Sequence, residues 1–221
     1  PLNCMLPLSI EEALSQLNEL LKNLPGQPAQ EQMAGRVVAS PSTIPSNAKL
    51  SAVMILLFKK ESIWHCCLIK RAENQGAHSG QFAFPGGRVD EGDVSLLHTA
   101  IRETREEIGV HLKEEQIIGA LTPLYIPVSN YMVHPYIAFC DTPTNYELQI
   151  DEVAFVKELE LTHLLNPVNK TKTRIRLRDA PQTQIEVPAY KISDTELIWG
   201  ATAMILAEFE VILSRTTAQI I

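Results

Sequence analysis

Between Phe84 and Val110 the chain reads FPGGRVDEGDVSLLHTAIRETREEIGV. This order favours a Pro85-Gly86-Gly87 turn, a short acidic loop and then an amphipathic helix. The helix is expected to begin near Val94 or Ser95 and to end at Gly109, which suits the left-handed cap position. Leu97, Ala100, Ile101, Thr104 and Ile108 form its core face. Glu103, Glu106 and Glu107 stand at i, i+3 and i+4, side by side, and are expected off that stripe, facing a cleft. Like charges at this spacing repel by roughly a few tenths of a kcal/mol per pair. A Glu-rich turn alone reads as a solvated face. With Gly86-Gly87 before it and Arg102 beside it, the patch points instead to a hard divalent cation. Mg²⁺ and Mn²⁺ take oxygen ligands, and Mg²⁺ shares substrate phosphates.

The rest of the chain supplies a frame for this stretch. Residues 9–24 form an amphipathic helix, with Ser9 and Glu12 in a capping-box pattern and leucines at helical spacing; Pro25 and Gly26 stop it. Residues 25–49, rich in Pro, Gln, Ser and Ala, read as a long connection. It either wraps the main body or lets the first helix pack on a partner chain. Residues 50–58 are continuously apolar, as in a strand buried on both faces. Lys59–Glu61 should turn the chain into a hairpin partner over 63–70. Residues 71–83 read as a loop containing His78 and Gly80. Ile117–Ile126, Met132–Cys140 and Asp151–Leu159 read as strands, and Leu161–Leu165 as a short turn or helix. Arg174–Arg178 and Gln184–Val187 suggest a ribbon around Asp179-Ala180-Pro181. Glu196–Arg215 reads as a last, largely buried helix. With no internal repeat and no clear second domain, the expectation is an α/β or α+β sandwich with a mixed sheet. Residues 50–221 would form one domain, preceded by a helix and connection over 1–49.

Composition narrows the function classes. Of the 221 residues 45% are apolar and 20% charged, as in ordinary globular chains. A formal net charge of −7 argues against a general binder of nucleic-acid polymers or membrane surfaces. It leaves an anionic small-molecule substrate open, because a bound metal reverses the local field. Cys4, Cys66, Cys67 and Cys140 lack zinc-type spacing and are expected as free thiols in a reducing, cytoplasmic setting. No apolar run is long enough for a spanning helix, and no secretory signal is visible. The chain starts at Pro1, which suggests a trimmed start.

Residues 87–110 resemble the Nudix box, G-x5-E-x7-R-E-U-x-E-E-x-G-U, where U is a bulky apolar residue. Gly87 takes the first Gly, and Arg102 to Val110 the second half, with Thr104 at a U position. Asp93 stands where the isolated Glu belongs, and eight residues rather than seven separate it from Arg102. A narrower resemblance is to the coenzyme A pyrophosphatase branch, whose motif L-L-T-x-R-S-x3-R-x3-G-x3-F-P-G-G precedes the box. Arg71, Gly80 and Phe84 to Gly87 match it, while Ala72 replaces Ser and Gly76 replaces the second Arg. Pro123–Asn130 and Ile198–Ala203 also look similar to that branch.

The resemblance implies a Nudix-type α/β/α sandwich that hydrolyses a diphosphate joining a nucleoside to another group, with Mg²⁺ or Mn²⁺. By position it makes Glu103, Glu106 and Glu107 metal ligands, one of them also a possible base, with the Gly87 carbonyl completing the shell. Arg102 would orient the glutamates, and Asp93 would cap the helix or pair with a neighbouring base. Glu152 becomes a further base or ligand. Arg71 is a candidate grip on a substrate phosphate, since guanidinium pairs bidentately with phosphate oxygens. His78 and Gly80 join it as substrate-side residues, although His78 serves equally well to order its loop. Trp199 either stacks on adenine or packs in the core. Lys170–Arg178 either binds a 3′-phosphate or is an ordinary solvated hairpin. Three functions follow: cleavage of coenzyme A or its thioesters, cleavage of ADP-ribose, NADH or another nucleotide derivative, or a non-catalytic Nudix-like binding or regulatory domain. The third usually loses box glutamates, which are retained here. A homodimer fits the first helix and the habit of the family.

Overall fold

The computed structural model of the chain describes residues 9–215 apart from residues 37, 40, 74–78, 144, 177–179 and 181. The apolar run becomes β1 (Lys49–Lys60), in which Met54 to Phe58 are at most 1% exposed. It pairs antiparallel with β2 (Ile63–Arg71) only near their turn, from Lys60↔Ile63 to Leu57↔Cys66. Beyond that the two strands part, and the next segment fills the fork. There β3 (Phe82–Ala83) pairs with β2, and β4 (Gly86–Arg88) pairs with β1. The later strands are β5 (Ile117–Ala120), β6 (Leu124–Ile126), β7 (Tyr131–Phe139) and β8 (Val153–Glu160). The other edge of β1 runs parallel with β7, which also carries β5 and β6, while β8 covers the other edge of β2. The result is a mixed eight-stranded sheet. A separate three-stranded antiparallel sheet holds β9 (Lys170–Arg176), β10 (Gln184–Lys191) and β11 (Leu197–Trp199).

The helices are α1 (Ile10–Leu21), α2 (Gln27–Gln30), α3 (Leu96–Ile108), α4 (Leu161–Leu165) and α5 (Ala201–Ser214). Strand alternation assigns them to layers. Ala52, Met54, Leu56 and Phe58 pack with Ala100 and Ile108 of α3. Ile55 and Leu57 belong to the opposite core, with Leu17 of α1 and Leu206 and Phe209 of α5. The expected sandwich of a mixed sheet between helices is therefore the observed one. Cys66 and Cys67 fall into opposite cores as buried free thiols, as does Cys140. Burial pushes the Cys66 thiol up to about 12.

Several elements differ from the sequence expectation. The hairpin turns at Glu61 and Ser62, both at positive φ, one residue later than expected. The single strand expected over Ile117–Ile126 is two, β5 and β6. Pro123 has no N–H to give to a ladder, and Thr122 is instead turned toward α5. The last helix starts at Ala201, not Glu196. Leu197–Trp199 pairs with Ala189–Lys191, and Gly200 at φ 69 redirects the chain into α5. The ribbon begins at Lys170, and most of its turn lies outside the described residues. The capping box at Ser9 and Glu12 is formed, but α1 ends at Leu21 and leaves Leu24 38% exposed.

The connection after α1 wraps the body. Gln30 is 1% exposed, and its Nε2 donates to the Thr122 carbonyl at 2.8 Å and to Glu208 Oε2 at 2.9 Å. Glu208, on α5 with no exposure, also accepts from the Gly26 N–H at 3.1 Å and from Thr122 Oγ1 at 2.6 Å. This buried carboxylate ties the connection, the β5–β6 bend and α5 together.

Candidate active site

The fork between β1 and β2 brings the glycine turn to the helix. The Met54 N–H donates to the Pro85 carbonyl at 2.8 Å, holding the turn on β1. Gly86 has φ 152, and a Cβ there would fall on the Ala52 carbonyl oxygen and the Val53 Cα. Only glycine fits such an approach without moving backbone. Its N–H donates to Glu107 Oε2 at 2.8 Å. At Gly87 a Cβ would sit 2.5 Å from the carboxyl carbon of Glu103. The bare Gly86 lets the turn lie on β1, and the bare Gly87 lets it lie directly against Glu103.

Helix α3 presents these groups as its caps dictate. Ser95 Oγ accepts from the His98 N–H at 3.1 Å, and Gly109 at φ 74 closes the helix. Thr104, Ala100 and Ile108 are buried, with Leu97 and Ile101 packed beside them. Glu107 was expected off this stripe, yet it is 1% exposed. Its place beside Thr104 and Ile108 puts it at the edge of the core, where the Gly86 N–H gives its carboxyl a hydrogen-bond partner. Glu103 and Glu106 have side chains 14% and 41% exposed.

Arg102 holds this face together. Its Nη1 is 2.9 Å from Glu103 Oε1 and 2.8 Å from Glu106 Oε2. Its Nε and Nη2 each donate to one Asp93 oxygen at 2.9 Å, and Nη2 also donates to the Arg88 carbonyl at 3.0 Å. Asp93 is 1% exposed and accepts further bonds from Thr99 Oγ1 at 2.8 Å and the Asp90 N–H at 2.9 Å. The Arg102 guanidinium, with these N–H groups, holds the Asp93 carboxyl well below the usual carboxylate range. The helix cap is Ser95, so of the two readings of Asp93 the structure shows pairing.

The turn and helix line a cleft of about 560 Å³, together with Arg71, Gln81, Arg88, Gln149, Glu152 and Thr202. Arg71 Nη1 lies 4.0 Å from Glu107 Oε1. Burial pushes the Glu107 carboxyl up to about 8, with Glu103 and Glu152 adding repulsion against the pull of the Gly86 N–H and Arg71. Burial also raises Glu103, opposed by Arg102 and assisted by Glu106 and Glu152. Among the described residues no three acidic, His or Cys side chains are gathered as a ready-made cation cage. The donor chemistry nevertheless fits a hard cation: carboxylate oxygens only, partly desolvated, mutually repelling, and set against a glycine turn.

The other sequence candidates distribute as follows. Gly80 sits at φ 65 beside Glu73, next to Gln81 in the cleft wall. His78 and Gly76 lie outside the described residues. Trp199 is half-buried in a separate hollow with Val187 and Met204, away from the glutamates. Lys170 and Lys172 of the ribbon pair with Glu210 and Glu186, at 2.8 and 2.9 Å. Thr202 and Gln81 were not singled out by sequence. Thr202 Oγ1 donates to the Phe82 carbonyl at 2.9 Å, tying α5 to β3 across 120 residues, a relation that local pattern does not carry.

The NUDIX domain profile matches residues 48–180, more than half of the chain. A Nudix hydrolase NudL of Enterobacter sp. (strain 638) is 33% identical over 162 residues, covering 73% of this chain and 81% of that protein. The mitochondrial coenzyme A diphosphatase NUDT8 of Homo sapiens is 35% identical over 132 residues, covering 59% of this chain and 54% of that protein. Among solved structures, a MutT/nudix family protein from Enterococcus faecalis superposes with a TM-score of 0.55 at 17% identity, over 94% of this chain and 75% of that one, a likeness of fold. With a profile spanning most of its length and a relative matched over most of both chains, this chain belongs to the Nudix hydrolases.

Proposed function

We propose that the chain hydrolyses the diphosphate of coenzyme A or its thioesters to 3′,5′-ADP and a 4′-phosphopantetheine product, with Mg²⁺ or Mn²⁺. The observation that carries this reading is the lining of one cleft by Glu103, Glu106, Glu152 and Arg71, with the buried Glu107 carboxyl 4.0 Å from Arg71. Similarity to a coenzyme A diphosphatase supports the choice of substrate. When bound, Mg²⁺ or Mn²⁺ would supply charge neutralisation for the diphosphate and a more acidic water. Glu103, Glu106 and Glu107, with the Gly87 carbonyl, are the groups that would hold it. Arg102, fixed by Asp93, orients Glu103 and Glu106. Arg71, beside Glu107, grips a phosphate, and Glu152 serves as a further base or ligand. The water oxygen adds to one phosphorus, the bridging P–O bond breaks, and each product leaves as a phosphate monoester.

Ala72 and Gly76, where the coenzyme A motif has Ser and Arg, support a second reading: the same reaction on ADP-ribose, NADH or another nucleotide derivative. A substrate panel with each metal separates the two. Coenzyme A turned over well above ADP-ribose and NADH supports the first; coenzyme A untouched while ADP-ribose is cleaved rejects it.

A further inference from the structure

A second hollow, of about 100 Å³, adjoins the cleft and shares Gln81, Ile126 and Ala201 with it. Val38, Leu124, Val187, Trp199 and Met204 make its walls largely apolar. Four parts of the chain meet there: the connection after α2, β6 with the residues that follow it, the β9–β10 ribbon and the start of α5. The connection is pressed hard against the ribbon, since a Cβ at Gly35 would overlap the Val187 side chain. Upstream, buried Met33 and the Gln30–Glu208 hydrogen bond hold it in place. Most of the lining lies outside residues 48–180, whereas all three box glutamates lie inside.

We propose that this hollow is a subsite for a short acyl group carried by a thioester of coenzyme A, an assignment that rests on the coenzyme A reading above. The chemistry of the walls selects the occupant. A nucleobase edge and the pantetheine amides carry donors and acceptors that cost free energy when buried unpaired. The acyl end is the apolar part of such a substrate. Size selects in the same direction. A closed apolar cavity of about 150 Å³ takes up benzene; this smaller hollow, with Arg36, Gln81 and Tyr125 as its polar members, suits a short chain entering end-on better than a purine. Because Gln81, Ile126 and Ala201 border both spaces, one extended molecule would reach from the diphosphate at the glutamates to an acyl group between ribbon and connection.

Steady-state kinetics with Mg²⁺ on the full chain, comparing coenzyme A with hexanoyl-coenzyme A, tests this. The thioester is expected to show at least about tenfold higher kcat/KM, mainly through KM. Met204→Trp fills the hollow, and Val128→Trp fills it from a rim position that is 42% exposed and tolerant of change. Each is expected to abolish the thioester advantage while leaving coenzyme A kinetics within about twofold. Absence of the advantage in the wild type, or its persistence in every variant that folds, overturns the subsite and leaves the coenzyme A reading standing. Cleavage of ADP-ribose with neither coenzyme A compound touched overturns that reading, and the subsite with it.

Discussion

Glu107 Oε2 accepts the backbone N–H of Gly86 at 2.8 Å, joining the glycine turn of the sheet to α3 at a residue that is 1% exposed. Glu107→Gln keeps the shape and an oxygen for that N–H but cannot ionise to hold a cation. We expect kcat to fall by on the order of 10²–10³, with the melting temperature of the metal-free protein unchanged or higher, because burial already disfavours the ionised carboxyl. Glu106→Gln, at the exposed end of the patch, should also strongly reduce turnover with the fold intact. Rates and thermal melts of both variants check this; unchanged rates in both would remove the helix from the chemistry.

Gly87 and Gly86 should separate function from stability. Gly87→Ala pushes a methyl group into the Glu103 carboxyl, a side chain that can move. Displacing it by about 1 Å is expected to cost roughly 10² in kcat, with a small change in melting temperature. Gly86→Ala collides with the backbone of β1 and should destabilise by about 2 kcal/mol or more. Urea midpoints alongside kcat distinguish the two.

Asp93 links pH to stability. Its folded pKa is depressed by Arg102, so its ion pair stabilises fully above the unfolded carboxylate value and is lost as pH falls toward the folded one. Wild-type urea midpoints should therefore fall between about pH 5 and pH 2 more steeply than those of Asp93→Asn. A parallel pH dependence in the two proteins would contradict the assignment. At neutral pH the variant should also lose activity, because Arg102 no longer has its bidentate anchor.

Glu208 should be a stability residue without a catalytic one's signature. Glu208→Ala leaves the Gly26 N–H, Gln30 Nε2 and two Thr122 donors without their acceptor. The expected cost is about 3 kcal/mol or more. Denaturation curves measure it, with kcat of the folded fraction near wild type.

The main sheet and its two helix layers were legible because β1 is apolar without interruption and α3 has caps at both ends. The Arg102 contact with Glu106 was also legible, since i+4 spacing sets the two side by side, whereas that with Glu103, one residue on, is not set by helical period. The burial of Glu107 was not. Helical period alone sets it off the core, and the partner of its buried carboxyl, the Gly86 N–H, lies 21 residues upstream on another element. Strand β11 was read as helix because Leu197 to Trp199 continues the apolar pattern of α5, and the positive φ of Gly200 is a choice that glycine permits but does not announce. Glu208 and Thr202 act on partners far away in sequence, where periodicity carries no information.

The most direct test is mass spectrometry of the products after incubating the full chain with coenzyme A and Mg²⁺ or Mn²⁺. The account predicts 3′,5′-ADP and 4′-phosphopantetheine in equal amounts, and neither when the metal is chelated. Intact coenzyme A under conditions where ADP-ribose is cleaved, or the same products from Glu107→Gln at the wild-type rate, would contradict it.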